Sequence, residues 1–144
     1  MTLGKEGTFP VKSISTANQL IVWRDSVCAG DDCDAPHELV LAAGTDSLRG
    51  VTDRLIEARY LASIAGGRAT WILQAGDEAG RPLAVLAQQW LEPRFLVAPD
   101  AEVFTYLQPD AKPDLLLRYW CQVDPTKVFD CLQRGEPLPD RHGR

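Results

Sequence analysis

The segment from Asp25 to Glu38 carries the residue types of this chain that are best suited to chemistry. It contains two thiols, one imidazole and five carboxylates, but no lysine or arginine. These side chains belong to Cys28, Cys33, His37, Asp25, Asp31, Asp32, Asp34 and Glu38. Such a segment could bind a metal ion, close a small disulfide between its cysteines, or present a negative surface to a basic partner. The sequence leaves these three alternatives open.

Zinc is the metal that these ligands suit best. Cys28, Cys33 and His37 have the spacing C-x4-C-x3-H, and a tetrahedral zinc site needs a fourth ligand. Four other side chains are available for that role: Asp31, Asp34, Cys121 and Cys131. Cysteines of zinc knuckles are usually separated by two residues, so the spacing here is loose. We therefore expect no cofactor, with zinc as the alternative.

Nucleophilic catalysis would need a thiol or hydroxyl beside a base that a third group orients. His37 and His142 are the only histidines, and His37 could pair with Cys28 or Cys33. The sequence has no G-x-S-x-G nucleophile elbow, and it has neither of the common glycine-rich nucleotide-binding motifs. We therefore predict a non-enzymatic protein and keep a small Cys/His enzyme, or a thiol-redox domain, as alternatives.

The charge balance favours a protein partner over a nucleic acid. The 144 residues include 15 lysines and arginines against 20 aspartates and glutamates, which gives a formal net charge of -5. Nucleic-acid-binding domains usually carry a basic surface, whereas an acidic surface speeds association with a basic protein. The sequence contains neither an apolar run of about 18 residues nor the apolar segment of a secretory signal. We therefore expect no membrane span and a cytoplasmic location.

Two segments are candidates for a partner-binding surface. The first is acidic and consists of Asp31, Asp32, Asp34 and Glu38. The second is Trp90 with Arg94, because an exposed tryptophan beside an arginine often anchors an interface. The other tryptophans, at positions 23, 71 and 120, lie on predicted strands and are expected in the core. These features predict an acidic protein-binding domain, in its concrete form a bacterial immunity protein that inhibits a toxin with a basic active-site cleft.

Apolar periodicity predicts the elements that position these segments. A β-prone run from Ile14 to Val27 and a short strand at 37–41 flank the acidic residues. A helix is predicted over 46–62 with Thr45 as its N-cap, because apolar side chains recur at helical spacing. These side chains are Leu48, Val51, Leu55, Ala58 and Ala62.

Strands dominate the remaining sequence. Alternating or continuous apolar runs predict them at 69–74, 82–90, 95–97, 102–107 and 115–123. Asp124 and Pro125 form an N-cap and first-turn pair, so a short helix should follow and end at Gly135. The order of elements predicts an α+β domain with one mixed or antiparallel sheet, one long helix on one face and a short C-terminal helix. That order is β-grasp-like.

Domain boundaries follow from the same patterns. Residues 13–135 are predicted to form one α+β domain, which is the ordinary size for a single unit. Residues 1–12 are predicted to be a flexible leader, and residues 136–144 a mobile tail rich in proline.

Overall fold

One mixed β-sheet organises the fold. The computed structural model describes residues 19–27, 37–42, 46–61, 67–77 and 79–141. The strands are β1 (Gln19–Arg24), β2 (Glu38–Ala42), β3 (Thr70–Ala75), β4 (Pro82–Ala87), β5 (Arg94–Phe95) and β6 (Leu115–Tyr119). The helices are α1 (Leu48–Glu57), α2 (Pro125–Arg134) and a 3-10 helix (Val103–Tyr106).

The strand order in the sheet is β2-β1-β6-β3-β4-β5. β1 and β6 run parallel, while the other four neighbouring pairs are antiparallel. The predicted α+β class, with one sheet and a longer and a short C-terminal helix, is therefore confirmed. The β-grasp-like order is not confirmed. No helix among the described residues is long and apolar enough to cross a membrane.

The inner face of the sheet packs against α1 and forms the larger core. The helix contributes three fully buried apolar residues, Leu48, Val51 and Leu55. The sheet contributes Leu20, Val22, Trp71, Leu73, Leu115 and Leu117. Each such side chain stabilises the fold by about 1.5–3 kcal/mol relative to an exposed position. The predicted stripe is thus right in its first three positions, but Ala58 is exposed and Ala62 lies outside the described residues.

Helix α1 begins later and ends earlier than the apolar pattern predicts. Ser47 rather than Thr45 is the N-cap, and its side-chain oxygen accepts a hydrogen bond from the Gly50 amide over 3.0 Å. At the other end, Arg59 adopts a left-handed backbone conformation with φ of 55°, and its amide donates to the Ile56 carbonyl. Local capping therefore overrides the apolar periodicity at both ends.

The segment 102–107 forms no strand, contrary to the prediction. Its centre is the 3-10 helix, and its backbone bonds to the start of α1. The Val103 amide donates to the Asp46 carbonyl over 2.9 Å, and the Leu48 amide donates to the Ala101 carbonyl over 3.0 Å. The first amides of a helix have no partner within the helix, and the carbonyls of Ala101 and Pro99, just before this segment, accept from two of them.

The final strand is shorter than predicted because the chain turns after Tyr119. Leu115, Leu117 and Tyr119 share the inner face as predicted, but Cys121 adopts a left-handed conformation with φ of 57°. Trp120, which alternates with Tyr119, packs on the opposite, outer face. The strand prediction for residues 120–123 is therefore wrong.

Helix α2 confirms its prediction at both ends. The Asp124 side chain caps it by accepting from the Thr126 amide over 2.9 Å, and Pro125 lies in the first turn. Gly135 ends the helix with φ of 71°, a conformation that glycine adopts without strain.

Only half of the outer face is covered by α2. Over β3 and β4, the helix residue Val128 packs on Ile72 and Val85, and all three are fully buried. Over β1 and β2, Trp23 is 38% exposed and Val40 is 51% exposed. Within the described part of the chain, no helix packs over β1 and β2 on this face.

The C-terminal segment contacts the covered half. Leu138 packs against the α2 cluster, and the Trp120 indole donates to the Pro139 carbonyl over 2.9 Å. The Arg141 guanidinium lies 4.5 Å from the Trp120 ring centroid. Leu138, Pro139 and Arg141 therefore contact the covered half. The mobility of residues 136–144 stays a prediction. The predicted leader, residues 1–12, lies outside the described residues.

Candidate partner-binding surfaces

The predicted site residues divide between described and undescribed parts of the chain. Four of them are placed: His37, Glu38, Trp90 and Arg94. The other five lie outside the described residues: Cys28, Cys33, Asp31, Asp32 and Asp34.

The structure does not bring Glu38 together with the Trp90–Arg94 pair. Glu38 begins β2 and Arg94 begins β5, and these strands are the opposite edges of the sheet. Five inter-strand spacings separate them, which corresponds to roughly 24 Å. Glu38 and the Trp90–Arg94 pair therefore belong to two different surfaces.

The first surface is a groove, here called the β1–β2 groove, at the end of β1 and the start of β2. It encloses about 630 Å³. Its walls include Trp23, Asp25, Glu38, Asp77, Lys112 and Leu116. Of these, sequence reasoning predicted only Glu38 as a binding residue. The two ends of the acidic segment, Asp25 and Glu38, both line the groove.

Trp23 is the main apolar feature of this groove, and its expected core position is wrong. Trp23 pairs across the strands with Glu38, and the indole donates to the Glu38 carboxylate over 2.8 Å. The strand alternation that buries Leu20 and Val22 directs Trp23 to the outer face. The same alternation is visible in the sequence, but the sequence does not show that α2 leaves this part of the outer face uncovered.

Carboxylates outnumber the cations in the groove. Asp25 accepts a hydrogen bond from the Tyr119 amide over 3.0 Å, and Asp77 accepts one from the Ala79 amide over 2.9 Å. Together with Glu38 they give three acids against Lys112 and Arg24. These amide contacts hold two of the acids in place.

Arg24 packs across aromatic rings at the end of β1. Its guanidinium carbon lies 5.6 Å from the Tyr60 ring centroid and 6.0 Å from that of Trp71. Trp71 in turn contacts the Tyr119 ring at a centroid distance of 4.9 Å. Cation–π contacts of this kind stabilise the position of the guanidinium over the rings.

The Tyr60 hydroxyl fastens the groove to the inner core. It lies within hydrogen-bonding reach of the Val22 carbonyl at 3.1 Å and of the His37 carbonyl. Burial raises the pKa of Tyr60 to about 12, with a further increase from the Glu38 charge and an opposing effect of Arg24. The neutral, donating form of Tyr60 therefore holds β1 and the residue before β2 in register.

His37 is described, but the catalytic and zinc hypotheses that include it remain predictions. Both of its ring nitrogens are buried, and within the described part of the chain neither has a hydrogen-bond partner. Among those residues, no cluster of three or more His, Cys, Asp or Glu side chains is arranged to hold a metal ion. Since Cys28 and Cys33 are not described, a Cys/His pair and a zinc site both stay untested.

The second surface is a cleft, here called the Trp90 cleft, between the C-terminal turn of α1 and the turn that joins β4 to β5. It encloses about 470 Å³. Its apolar lining includes Ile56, Leu61, Trp71, Leu86, Trp90 and Pro93. Trp90 is partly buried, and the Arg94 guanidinium lies 4.3 Å from its ring centroid. Leu91, beside it, is completely exposed.

No protein-family model matches this chain, and no curated protein or solved structure matches it significantly. The function must therefore be argued from these two surfaces.

Proposed function

We propose that this domain is a non-catalytic protein-binding module that docks a basic partner in the β1–β2 groove. The observation that carries the proposal is the exposed Trp23, which is fixed by Glu38 on the half of the outer face that α2 leaves uncovered. A large aromatic side chain whose orientation is already fixed loses little conformational entropy on binding, which is a property of interface anchors.

The chemistry of the groove suits a lysine or arginine side chain of the partner. The Trp23 ring offers a cation–π surface, and the carboxylates of Glu38, Asp25 and Asp77 offer acceptors. The net charge of -5 would also speed the approach of a basic protein. Asp31, Asp32 and Asp34 lie in the sequence between Asp25 and Glu38, two residues that line the groove. They add three negative charges to this stretch of the sequence.

The concrete form that we propose is a bacterial immunity protein that inhibits a toxin with a basic active-site cleft. An inhibitor of this kind needs an acidic surface with an apolar anchor and needs no catalytic residues of its own. The groove supplies both requirements, the acids through Glu38 and Asp77 and the anchor through Trp23.

The test begins with a partner captured by the wild-type domain from its native host at low salt. The dissociation constant of the purified pair is then measured for Trp23→Ala, Glu38→Gln and the control Glu102→Gln. Glu102 is also exposed, but it lies near the start of α1 and its side chain makes no capping hydrogen bond. We expect Trp23→Ala to weaken binding about 30-fold, as loss of an interface anchor does, and Glu102→Gln to leave it unchanged.

Salt dependence and inhibition complete the test. Glu38→Gln should weaken binding and flatten its dependence on salt, because one steering charge is lost. An acidic partner, or equal binding by all the variants, would contradict the proposal. If binding follows the expected pattern but the partner's activity is unaffected, the binding function stands and the inhibitor form is wrong.

A further inference from the structure

The Trp90 cleft has the features of a second binding surface that is independent of the β1–β2 groove. Leu91 is completely exposed and Ile56 is 44% exposed, so two large apolar side chains flank the cleft and face solvent. Burying one leucine is worth about 1.5–3 kcal/mol, and a domain forgoes that stabilisation most readily where a ligand supplies it. The cleft is large enough for one or two apolar side chains.

Arginines give this surface a charge opposite to that of the whole chain. Arg59 lines the cleft, and Arg94 packs over Trp90 at its rim. Neither arginine has a carboxylate partner in the described part of the chain, whereas Arg49 and Arg54 on α1 are paired with Asp100 and Asp46.

Glu92 is the one acid among the residues that line the cleft, and it is exposed. Its carboxylate would repel an acidic ligand, which Arg59 and Arg94 would attract. Arg59 and Arg94 thus outnumber Glu92, so the local charge at the cleft is positive, whereas the net charge of the protein is -5.

We propose that the Trp90 cleft binds an acidic peptide segment of a partner protein, with one large apolar side chain inserted beside Trp90. The inserted side chain would contact the partly buried Trp90 and the exposed Ile56 and Leu91. Carboxylates on either side of it would pair with Arg59 and Arg94, because guanidinium groups bind carboxylates with two parallel hydrogen bonds. The site goes beyond the proposed function, since its ligand has the opposite charge and it lies towards the opposite edge of the sheet.

The test uses a fluorescently labelled, blocked hexapeptide with the sequence Asp-Glu-Phe-Leu-Asp-Glu. Fluorescence anisotropy measures its binding to the wild-type protein and to Arg94→Gln, Glu92→Gln and Arg81→Gln. Arg81 is the matched control, because its guanidinium also lies over an aromatic ring, that of Tyr106 at 5.7 Å, but outside the cleft. Two further peptides replace either the four acids by lysine or the two apolar residues by alanine.

The expected results differ in sign between the variants. Arg94→Gln should weaken binding about fivefold or more, and Glu92→Gln should strengthen it about twofold, because one change removes an attraction and the other a repulsion. Arg81→Gln should bind as the wild type does, and both altered peptides should bind weakly. Circular dichroism confirms that each variant is folded.

Three outcomes would overturn the proposal. The first is equal binding of the acidic and the lysine peptides, which would remove the charge preference. The second is an equal effect of Arg94→Gln and Arg81→Gln, which would place the peptide elsewhere. The third is a dimer in analytical ultracentrifugation that Arg94→Gln dissociates, since the cleft would then be occupied by a second copy of this chain. Trp23→Ala, at the other surface, should leave peptide binding unchanged.

Discussion

The two halves of the outer face have similar strands but different surroundings. Over β3 and β4, Ile72 and Val85 are completely buried beneath α2, while over β1 and β2, Trp23 and Val40 stay exposed. All four are β-branched or aromatic residues, the types that favour strands. Residue type therefore decides whether a strand forms, whereas a covering helix decides whether the outer face of that strand belongs to the core.

This division also separates the second apolar cluster from the groove proposed to bind a partner. The covered half adds a second apolar cluster, with Trp120 and Val128 at its centre. The uncovered half instead carries the β1–β2 groove, where an exposed tryptophan lies beside acidic side chains. A partner bound in the groove would bury the outer face of this half, as α2 buries that of the other half. Three experiments test this comparison.

The covered half should respond most strongly to loss of a side chain. Ile72→Ala removes three carbons from a site with no solvent exposure, so we expect the free energy of unfolding to fall by about 2–5 kcal/mol. Urea denaturation followed by circular dichroism measures this loss.

Val40→Ala is the matched control on the uncovered half. Because half of Val40 is already exposed, this change should cost less than about 0.5 kcal/mol. Similar losses for the two variants would show that the two halves are buried alike, and the comparison would then be wrong.

Deleting residues 136–144 should have an intermediate effect on stability. The deletion removes the Leu138 packing and the hydrogen bond from Trp120 to the Pro139 carbonyl, so we expect a loss of about 1–3 kcal/mol. A lowered thermal midpoint in calorimetry would show it. Deleting only residues 142–144 is the control and should leave the midpoint unchanged. An unchanged midpoint for the longer deletion would instead support the mobile tail predicted from the sequence.

The smallest expected effect is on the pH dependence of stability, through the Tyr60 hydroxyl that links the uncovered half to the inner core. Burial raises the pKa of Tyr60 from 10.0 to about 12, so the folded state holds this proton more tightly than the unfolded state. The resulting stabilisation is complete below pH 10.0 and is lost as the pH rises towards about 12. Solvent reaches part of the ring, which keeps the effect modest.

Tyr60→Phe should therefore show a smaller fall in stability than the wild type across that alkaline range. Denaturant melts at several pH values measure the two slopes. Equal slopes would mean that the Tyr60 hydroxyl does not hold β1 and the start of β2 to the core.

Much of the fold follows from local sequence. Leu48, Val51 and Leu55 have the spacing of one helical face, and Asp124, Pro125 and Gly135 mark both ends of α2. These signals depend on residues within a few positions of one another, so they act whatever the rest of the chain does. The prediction for 102–107 was wrong because its backbone partners lie at the start of α1, more than forty residues earlier in the chain.

The candidate surfaces were predictable only in part. From the sequence, Glu38, Trp90 and Arg94 were identified as residues suited to binding, but Trp23 was expected in the core. The sequence did not show that Glu38 and the Trp90–Arg94 pair lie on different surfaces. Their separation depends on β6, which inserts between β1 and β3 although it comes last among the described strands.

The amino-acid sequence was enough to predict most of the strands and helices and the α+β class. The positions of Glu38 and Arg94 at opposite edges of the described sheet, and the exposure of Trp23 on the half that α2 leaves uncovered, depend on the tertiary structure. The physical reason is the range of the interactions. Periodicity and capping act between near neighbours, whereas strand order and the placement of α2 depend on pairing between distant segments, whose energies no single stretch of sequence contains.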